Sequence, residues 1–245
     1  MISLFKRHKN IETFAPLGTD MHCHLLPNVD DGSTSVDETV SCLKIMKTLG
    51  FKKVLLTPHF QARYPNEEND IQRRFTELKK ELKSVDPSTI PEVTSIAGEY
   101  RFDPAFERLP EENRVLTLPG KRLLCELSLH NNNYTPIEIF KRYISAGYTL
   151  ILAHPERYPY LGVHSPEIIK MKDIGMYFQI NTLSLNGFYG GAAKDKGFAY
   201  INSGMAEYLG TDTHNMRYIN ALTETANNRQ VQKIMESHTF LNSQL

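Results

Sequence analysis

The sequence contains few cysteines, no excess of charge and no long hydrophobic run, and each of these absences excludes a class of protein. The three cysteines are odd in number and lack CxxC spacing, which excludes a disulfide framework and a thiolate zinc site and favours the reducing cytoplasm. The 28 basic and 28 acidic side chains give no net charge, so no basic field attracts nucleic acid or an anionic membrane. The longest apolar stretches, such as residues 148–153, fall far short of the ~20 residues that span a bilayer. We therefore expect a globular cytoplasmic protein with neither a nucleic-acid partner nor membrane insertion.

The alternation of short apolar runs with helical periodicity predicts parallel strands joined by helices. Seven strands are expected, near residues 19–26, 53–60, 93–101, 122–129, 149–156, 177–183 and 207–214. A regular barrel of eight βα units needs one strand more, so we predict a single α/β domain over residues 19–245, built as a distorted (β/α)7 barrel. Residues 1–18 place apolar residues before basic ones, the reverse of a signal peptide, and are predicted to be an N-terminal extension.

Two helices can be predicted in more detail. Ser35 is expected to cap the helix after the first strand, with Glu38 reaching back in a capping box. After the second strand, apolar residues at alternating spacings of four and three predict a helix with one face in the core, formed by Ile71, Phe75, Leu78, Leu82 and Val85.

Side chains that can bind metal ions recur at the ends of the predicted strands, where barrel enzymes carry their active sites. His22 and His24 are two residues apart, so on a strand they share a face with alpha carbons ~6.6 Å apart. Asp212 and His214 repeat this spacing. With Asp31 from a polar loop, the nitrogen and oxygen donors are His22, His24, Asp31, His59, Glu99, Glu126, His154, Asp212 and His214. One transition ion takes four to six ligands, so these nine predict two or three metal ions, bridged by a carboxylate such as Glu126.

The order of these residues resembles the polymerase and histidinol phosphatase (PHP) superfamily, and within it the bacterial metal-dependent protein tyrosine phosphatases of capsule and exopolysaccharide synthesis. The motifs that carry the resemblance are Asp20-Met21-His22-Cys23-His24, Asp30-Asp31-Gly32, Thr57-Pro58-His59, Gly98-Glu99, Glu126, His154-Pro155-Glu156-Arg157 and Thr211-Asp212-Thr213-His214-Asn215. The resemblance implies a PHP-type (β/α)7 barrel with three metal ions, often manganese, in which the nine donors are the ligands. It also implies that Arg157 binds phosphate.

Two departures from this family pattern are visible. We assign Arg217 as the second phosphate-binding arginine, although the family's second arginine lies further beyond the last Asp-x-His. Residues 1–18 extend before the usual start of the family.

The expected activity is that of a metal-dependent phosphomonoesterase that hydrolyses phosphotyrosine in proteins. A metal-bound hydroxide would attack phosphorus, because a bound metal lowers the pKa of its water towards ~7. Arg157 and Arg217 would neutralise the phosphoryl oxygens, and Asp212 or His214 would supply a proton to the leaving oxygen. The metal is expected to be Mn, with Fe, Zn or Mg as alternatives. The resemblance implies a bacterial autophosphorylated tyrosine kinase as the partner, one that controls polysaccharide synthesis and export.

Several rival functions are weighed against this one. A cysteine phosphatase is excluded, because the residues six positions after the cysteines, Val29, Thr48 and Asn131, are not arginine. Another PHP phosphoesterase, either a histidinol-phosphate phosphatase or an exonuclease, remains an alternative. An amidohydrolase is a further rival, but it commonly bridges its metals through a strand-four lysine, where this sequence has Glu126. A non-catalytic kinase-binding module is disfavoured, since structural metal sites seldom need nine ligands.

Some residues near the motifs have ordinary explanations. Asp31 is equally well explained as a turn residue on its own sequence context. Glu156 is expected to pair with a neighbouring charge, and Arg101 to be either a phosphate contact or a surface ion pair. The remaining histidines are predicted to be surface residues: His8, His130, His164 and His238.

Overall fold

A computed structural model describes residues 13–103, 114–130 and 135–245. In these ranges the chain forms nine strands: β1 (Thr19–Asp20), β2 (Lys53–Leu56), β3 (His59–Phe60), β4 (Glu92–Ile96), β5 (Glu99–Arg101), β6 (Arg122–Glu126), β7 (Thr149–Ala153), β8 (Tyr177–Asn181) and β9 (Tyr208–Gly210). Their order is β1-β2-β4 in one sheet and β3-β5-β6-β7-β8-β9 in the other. Every pair of neighbouring strands is parallel.

The nine strands correspond to the seven predicted units, because two of those units are interrupted. Two residues separate β2 from β3 and two separate β4 from β5, and β2 pairs with β4 as β3 pairs with β5. The backbone hydrogen bonds from Ala97 N–H to Leu56 O and from Glu99 N–H to Pro58 O continue the pairing across the gaps. A parallel bridge between Cys23 and Thr213 joins the segments that follow β1 and β9. The first and last units therefore lie side by side, and the predicted α/β architecture of parallel strands is confirmed.

Seven α-helices of the described ranges connect or follow the strands: α1 (Val36–Thr48), α2 (Glu68–Glu81), α3 (Ile137–Ser145), α4 (Pro166–Asp173), α5 (Gly191–Asn202), α6 (Met216–Ala226) and α7 (Arg229–Ser237). None of these helices is both long enough and apolar enough to cross a membrane. The predicted face of α2 is confirmed for Ile71, Phe75 and Leu78, which are buried. Leu82 and Val85 lie beyond the helix, at the start and the end of a 3-10 turn, and are only partly buried.

The predicted cap of α1 is confirmed in part. Ser35 Oγ accepts a hydrogen bond from Glu38 N–H. The Glu38 carboxylate, however, accepts from the N–H and hydroxyl of Thr34 and not from Ser35, so it reaches one residue further back than a capping box requires.

Apolar residues close the end of the barrel where the strands begin. Phe14 and Leu17 are buried, and the Phe14 ring stacks on Phe51 with centroids 5.4 Å apart. Phe14 N–H donates to Leu49 O. This part of the predicted extension therefore packs on the barrel, whereas residues 1–12, including His8, lie outside the described ranges.

Candidate metal centre

The carboxyl ends of the strands bring together all nine predicted donors. Eight of the nine are buried, and only the Asp31 side chain is largely exposed, at 47%. Six donors follow or end a strand: His22 and His24 follow β1, Glu126 ends β6, His154 follows β7, and Asp212 and His214 follow β9. His59 and Glu99 begin β3 and β5, the second halves of the two interrupted units, and Asp31 lies in the loop after β1.

Glu99 occupies the centre of the cluster. Its Oε1 lies 3.4 Å from His22 Nε2 and 3.0 Å from His154 Nε2. Its Oε2 lies 3.3 Å from His24 Nε2 and 2.9 Å from His59 Nδ1. Glu99 therefore holds the central position among four histidines, whereas Glu126 was the carboxylate named from the sequence as an example of a metal bridge.

The remaining donors surround this centre. Glu126 Oε1 lies 3.5 Å from His59 Nδ1, and Asp212 Oδ1 lies 3.4 Å from the Nε2 atoms of His22 and His24. Asp31 Oδ1 is 3.6 Å from His59 Nε2 and 3.7 Å from His214 Nε2. Three sets of donor atoms lie within 4.8 Å of one another, namely His22/His24/Asp212, His24/His59/His214 and His59/Glu99/Glu126.

Hydrogen bonds at the Nδ1 atoms orient the histidine rings. His22 Nδ1 donates to Gln179 Oε1 and His24 Nδ1 donates to Asp30 Oδ2, both at 2.8 Å. His214 Nδ1 donates to a backbone carbonyl two residues earlier, also at 2.8 Å. Bonds of this kind fix the tautomer of a metal-binding histidine and leave its Nε2 for the ion.

A hydrogen-bonded chain of amides links two of the donors. Gln179, which accepts from His22, donates through Nε2 to Asn181 Oδ1 at 2.8 Å. Asn181 Nδ2 donates to Asp212 Oδ2 at 2.7 Å. The first and last units of the barrel are thus held in a fixed relation by residues of β8.

The Asp30-Asp31-Gly32 loop is both a turn and part of the cluster. Asp30 Oδ1 accepts from Gly32 N–H, and its Oδ2 accepts from His59 N–H. A side chain at position 32 would place its Cβ 1.9 Å from His24 O, so glycine is required there. The turn hydrogen bond is therefore made by Asp30, whereas the Asp31 carboxylate lies near His59 and His214.

Two non-glycine residues of the cluster have left-handed backbone conformations. His154 has φ 37° and Asp212 has φ 52°. Such values are uncommon outside glycine and concentrate at functional sites. His154 then leads into the 3-10 turn Pro155–Arg157, which brings Arg157 back towards the cluster.

The charges of the cluster shift the pKa of its members strongly. Burial and the neighbouring His24 act to lower the pKa of His59, yet the Glu99 and Glu126 carboxylates outweigh them and raise it to about 10. Burial would raise the pKa of Glu99, but His22 and His59 hold it well below its usual range. In the absence of metal, protons on His22, His24 and His59, whose pKa values are raised, therefore balance the carboxylates.

The donor set fits divalent metal ions. His59 Nδ1 and Glu99 Oε2 are buried and have no properly aligned hydrogen bond, although they lie 2.9 Å apart. A buried polar atom without a partner is costly, and a cation between such atoms would satisfy both. Imidazole and carboxylate ligands without thiolate suit Mn, Fe and Zn.

Arg157 lies beside this cluster and is tied to it by a short ion pair. Its Nη1 donates to Asp212 Oδ2 at 2.8 Å, and its guanidinium carbon lies 4.1 Å from the centre of the Tyr189 ring. The Tyr189 hydroxyl lies 3.2 Å from the same Asp212 oxygen. The side chain keeps 21% exposure, so the guanidinium also faces the cavity beside the cluster.

Among the residues that the structure describes, Glu156 forms no ion pair, so that expectation was wrong. Its Oε1 accepts from Asn181 N–H and from the Ser184 hydroxyl, and the side chain is buried. Arg157 is therefore paired with the donor cluster and not with its neighbour in sequence.

Arg217 is not brought to the cluster. It is exposed in the first turn of α6, and its guanidinium carbon lies 5.3 Å from the centre of the Phe188 ring. Arg101, by contrast, lines the cavity and donates from Nε and Nη2 to Glu126 Oε1, each at 3.1 Å. Arg101 was expected to be either a phosphate contact or a surface ion pair. It does form an ion pair, but with the buried carboxylate of Glu126.

A cavity of about 450 Å³ opens onto the donors. This size lies within the range of small-molecule sites. Its lining includes three arginines and two tyrosines, which are Arg63, Arg101, Arg157, Tyr64 and Tyr218.

Residues outside the cluster complete the comparison with the sequence. His130 and His164 are exposed and His238 is partly exposed, and His130 also lines the cavity. The three cysteines are free and buried, as expected for packing residues. The supporting residues Asp30, Gln179, Asn181 and Tyr189 were not predicted; the polar alternation of Gln179 and Asn181 within an apolar strand was the available signal.

A sequence model of the family described as "Capsular polysaccharide synthesis, CpsB/CapC" matches residues 18–240. The chain belongs to this family. The putative tyrosine-protein phosphatase CapC of Staphylococcus aureus is 26% identical over 201 residues, covering 80% of this chain and 77% of that protein. Tyrosine-protein phosphatase YwqE of Bacillus subtilis is 25% identical over 209 residues, covering 84% and 81%. The family resemblance drawn from the sequence is thus confirmed.

A solved structure supports the fold. It comes from a study of YwqE from Bacillus subtilis and CpsB from Streptococcus pneumoniae, described as unique metal-dependent tyrosine phosphatases. It superimposes with a TM-score of 0.74 at 22% identity, over 92% of this chain and 94% of that one.

Proposed function

We propose that this CpsB/CapC family member is a metal-dependent phosphatase that hydrolyses phosphotyrosine in proteins. The observation that carries the proposal is the set of nine nitrogen and oxygen donors, with Glu99 at its centre, beside a cavity with arginine side chains in its wall. The names of the Staphylococcus aureus and Bacillus subtilis relatives support the same activity.

The nine donors hold two or three divalent ions in this proposal, with Mn as the first candidate and Fe, Zn or Mg as alternatives. The ligands are His22, His24, Asp31, His59, Glu99, Glu126, His154, Asp212 and His214. Bound ions would act as Lewis acids on the phosphoryl oxygens and lower the pKa of a coordinated water.

Arg157 binds the phosphoryl group. One of its N–H groups is committed to Asp212, and that bond fixes the plane of the guanidinium. Its other N–H groups have no acceptor within the described ranges and can donate to phosphoryl oxygens in the bidentate geometry that arginine favours. The charge that spreads over these oxygens in the transition state is thereby neutralised.

Asp212 and His214 act as ligands in this proposal and do not act as proton donors. Burial and the charge of His24 lower the pKa of His214 to about 4. Burial would raise the pKa of Asp212, but His22 and its other cationic neighbours hold it well below its usual range. Both side chains are therefore deprotonated at neutral pH, as a metal ligand must be.

The substrate protein we propose is an autophosphorylated bacterial tyrosine kinase that controls polysaccharide synthesis and export. We propose the cytoplasm as the compartment of the reaction. The family description names capsular polysaccharide synthesis, which supports a partner in that process. The free, buried cysteines suit a reducing compartment.

The test is turnover by metal-depleted protein to which Mn, Mg, Zn and Fe are restored in turn. A phosphotyrosine peptide, histidinol phosphate and single-stranded DNA are offered as substrates. We expect metal-dependent release of phosphate mainly from the peptide. Turnover confined to histidinol phosphate or DNA would assign the chain to another phosphoesterase activity. Binding of the peptide without turnover under every metal would contradict catalysis altogether.

A further inference from the structure

Four aromatic rings form a row along one wall of the cavity. Tyr64 stacks on His59, with centroids 5.7 Å apart and planes at 8°. The ring centroids of His59 and His214 lie 6.0 Å apart. His214 stacks on Tyr218, with centroids 4.8 Å apart and planes at 28°. The two histidines belong to the donor cluster, and a tyrosine therefore flanks the cluster at each end of the row.

Both tyrosines are held beside the cavity by local backbone structure. Tyr64 closes a short loop through an antiparallel bridge to Gln61, with backbone hydrogen bonds in both directions. Tyr218 lies in the first turn of α6, which Asn215 caps by accepting from Arg217 N–H. Each tyrosine is only partly buried and lines the cavity, so part of its side chain is exposed there. The Arg63 guanidinium carbon lies 5.3 Å from the centre of the Tyr64 ring, and the Phe188 ring lies 5.1 Å from that of Tyr218.

The positions of the rings relative to the donors favour one class of ester. A phosphoester whose phosphoryl group lies at the donors and Arg157 would extend its organic group into the cavity, whose lining includes both tyrosines. An aromatic group there can stack on tyrosine rings at the usual centroid separations of ~4.5–7 Å, whereas a short alkyl group offers no ring.

We propose that Tyr64 and Tyr218 bind the aromatic ring of the phosphoester and make the site selective for aryl over alkyl phosphates. This inference rests on the proposed function and specifies how phosphotyrosine is distinguished from phosphoserine. Tyr189 has a different role, because its hydroxyl contacts Asp212 and its ring lies under Arg157. It positions the arginine.

The experiment measures direct binding of phenylphosphonate and methylphosphonate to the metal-loaded protein. These probes share the phosphonate group and differ in the ring. We expect Tyr64→Ala and Tyr218→Ala each to weaken the binding of phenylphosphonate by about 2- to 10-fold, the range that one aromatic pair contributes. The affinity for methylphosphonate should stay nearly unchanged. Tyr64→Phe and Tyr218→Phe should bind both probes as the wild type does.

Tyr64→Leu and Tyr218→Leu keep apolar volume and lose only the ring, so they replace any alanine variant that fails to fold. Tyr177→Ala is the matched control, because this partly buried tyrosine pairs with Tyr208 where β8 begins, at the opposite end of the barrel. Metal content is measured for every variant.

A purely structural role for the two tyrosines makes a distinct prediction. If they only hold His59 and His214 in place, both probes weaken together and metal is lost with them. That result, or equal affinity of the wild type for both probes, overturns the inference. The proposed function is decided separately by turnover of phosphotyrosine peptide by the wild type, so the two failures cannot be confused.

Discussion

The two ends of the barrel have opposite chemistry. Where the strands begin, Phe14 and Leu17 are buried among apolar residues, and the Asn242 side chain forms hydrogen bonds with backbone groups of Thr19 and Leu209. Where the strands end, histidines and carboxylates lie 2.9–4.0 Å apart, and buried atoms such as Glu99 Oε2 lack a hydrogen-bond partner. One end is arranged for stability and the other for ligand binding, which is the usual division in parallel barrels.

Asn242 shows how the stable end is built. Its Oδ1 accepts from Leu209 N–H, and its Nδ2 donates to Thr19 O and Leu209 O. It thus joins the first and last strands at the end opposite the donors. Changes at this end should alter the free energy of unfolding, whereas changes at the other end should alter metal binding and turnover.

The largest effect is expected from removing two donors together. The double variant His22→Ala/His24→Ala should lose its metal and nearly all phosphotyrosine-peptide turnover, because both side chains face Glu99 and Asp212. Elemental analysis and peptide assays measure the two losses. The exposed His164→Ala is the control and should behave as the wild type. Full activity in the double variant would remove these histidines from the site.

The next effect concerns the arginines. Arg157→Ala should reduce kcat by about 10²–10³, comparable to the loss of one oxyanion donor, with the metals retained. Arg157→Lys should recover part of this, since it keeps the charge without the planar fork. Arg217→Ala is the matched comparison, and its exposed position outside the cavity predicts a change of less than about twofold. Steady-state kinetics that rank the two alanine variants in the opposite order would contradict the placement of Arg157.

A smaller effect is expected from a residue that only supports a donor. Gln179→Ala removes the acceptor of His22 Nδ1 and should lower metal affinity by about 10–100-fold, as supporting residues of metal sites commonly do. Titration of metal-free protein measures this affinity. Gln179→Glu keeps an acceptor and should bind metal more tightly than the alanine variant. Equal affinities in both variants would show that the hydrogen bond does not matter.

At the opposite end, Asn242→Ala should lower the free energy of unfolding by about 1–3 kcal/mol, because it leaves buried backbone groups without partners. The kcat of the folded, metal-loaded variant should stay within about twofold of the wild type. Urea unfolding and peptide assays provide the two readings. Asn227→Ala, at the exposed end of α6, is the control and should change stability little. A metal loss in Asn242→Ala would show that the two ends are coupled.

The smallest effect is a pH dependence of the metal-free protein. The pKa of His59 is raised from 6.5 to about 10 by Glu99 and Glu126, against burial and His24. Its protonation therefore stabilises the folded state fully below about pH 6.5, and this contribution is lost as pH rises through about 10. The Tm of metal-free protein should fall over this window, while the stabilisation by added metal grows because ligands must deprotonate. His59→Gln should flatten the metal-free profile, and an unchanged slope would contradict this assignment.

The sequence predicted much of the binding end because its signals are local. One His-x-His pair and one Asp-x-His pair lie on predicted strands, so the two side chains of each pair share a face. Parallel strands bring their carboxyl ends, and with them these side chains, to the same end of a barrel. The seven strand positions followed from apolar runs in the same way. These features need only short-range patterns and the general rules of parallel sheets.

The residues that the sequence missed or misplaced depend on how the chain packs. Gln179 accepts from His22, which is far away in sequence, and Asp30 accepts from His24 across a loop. No spacing rule identifies such partners. Arg217 shares the first turn of α6 with Tyr218, but only Tyr218 lines the cavity. Glu156 lies two residues after the left-handed His154, and its carboxylate accepts from the Ser184 hydroxyl, a residue 28 positions further along the chain.

The most direct test of the metal centre is elemental analysis of gently purified protein coupled to a phosphotyrosine-peptide assay. The nine clustered donors predict more than one divalent ion per chain, loss of turnover with a chelator, and its return when metal is restored. One ion or fewer per chain with full activity, or turnover that survives complete removal of metal, would contradict the account.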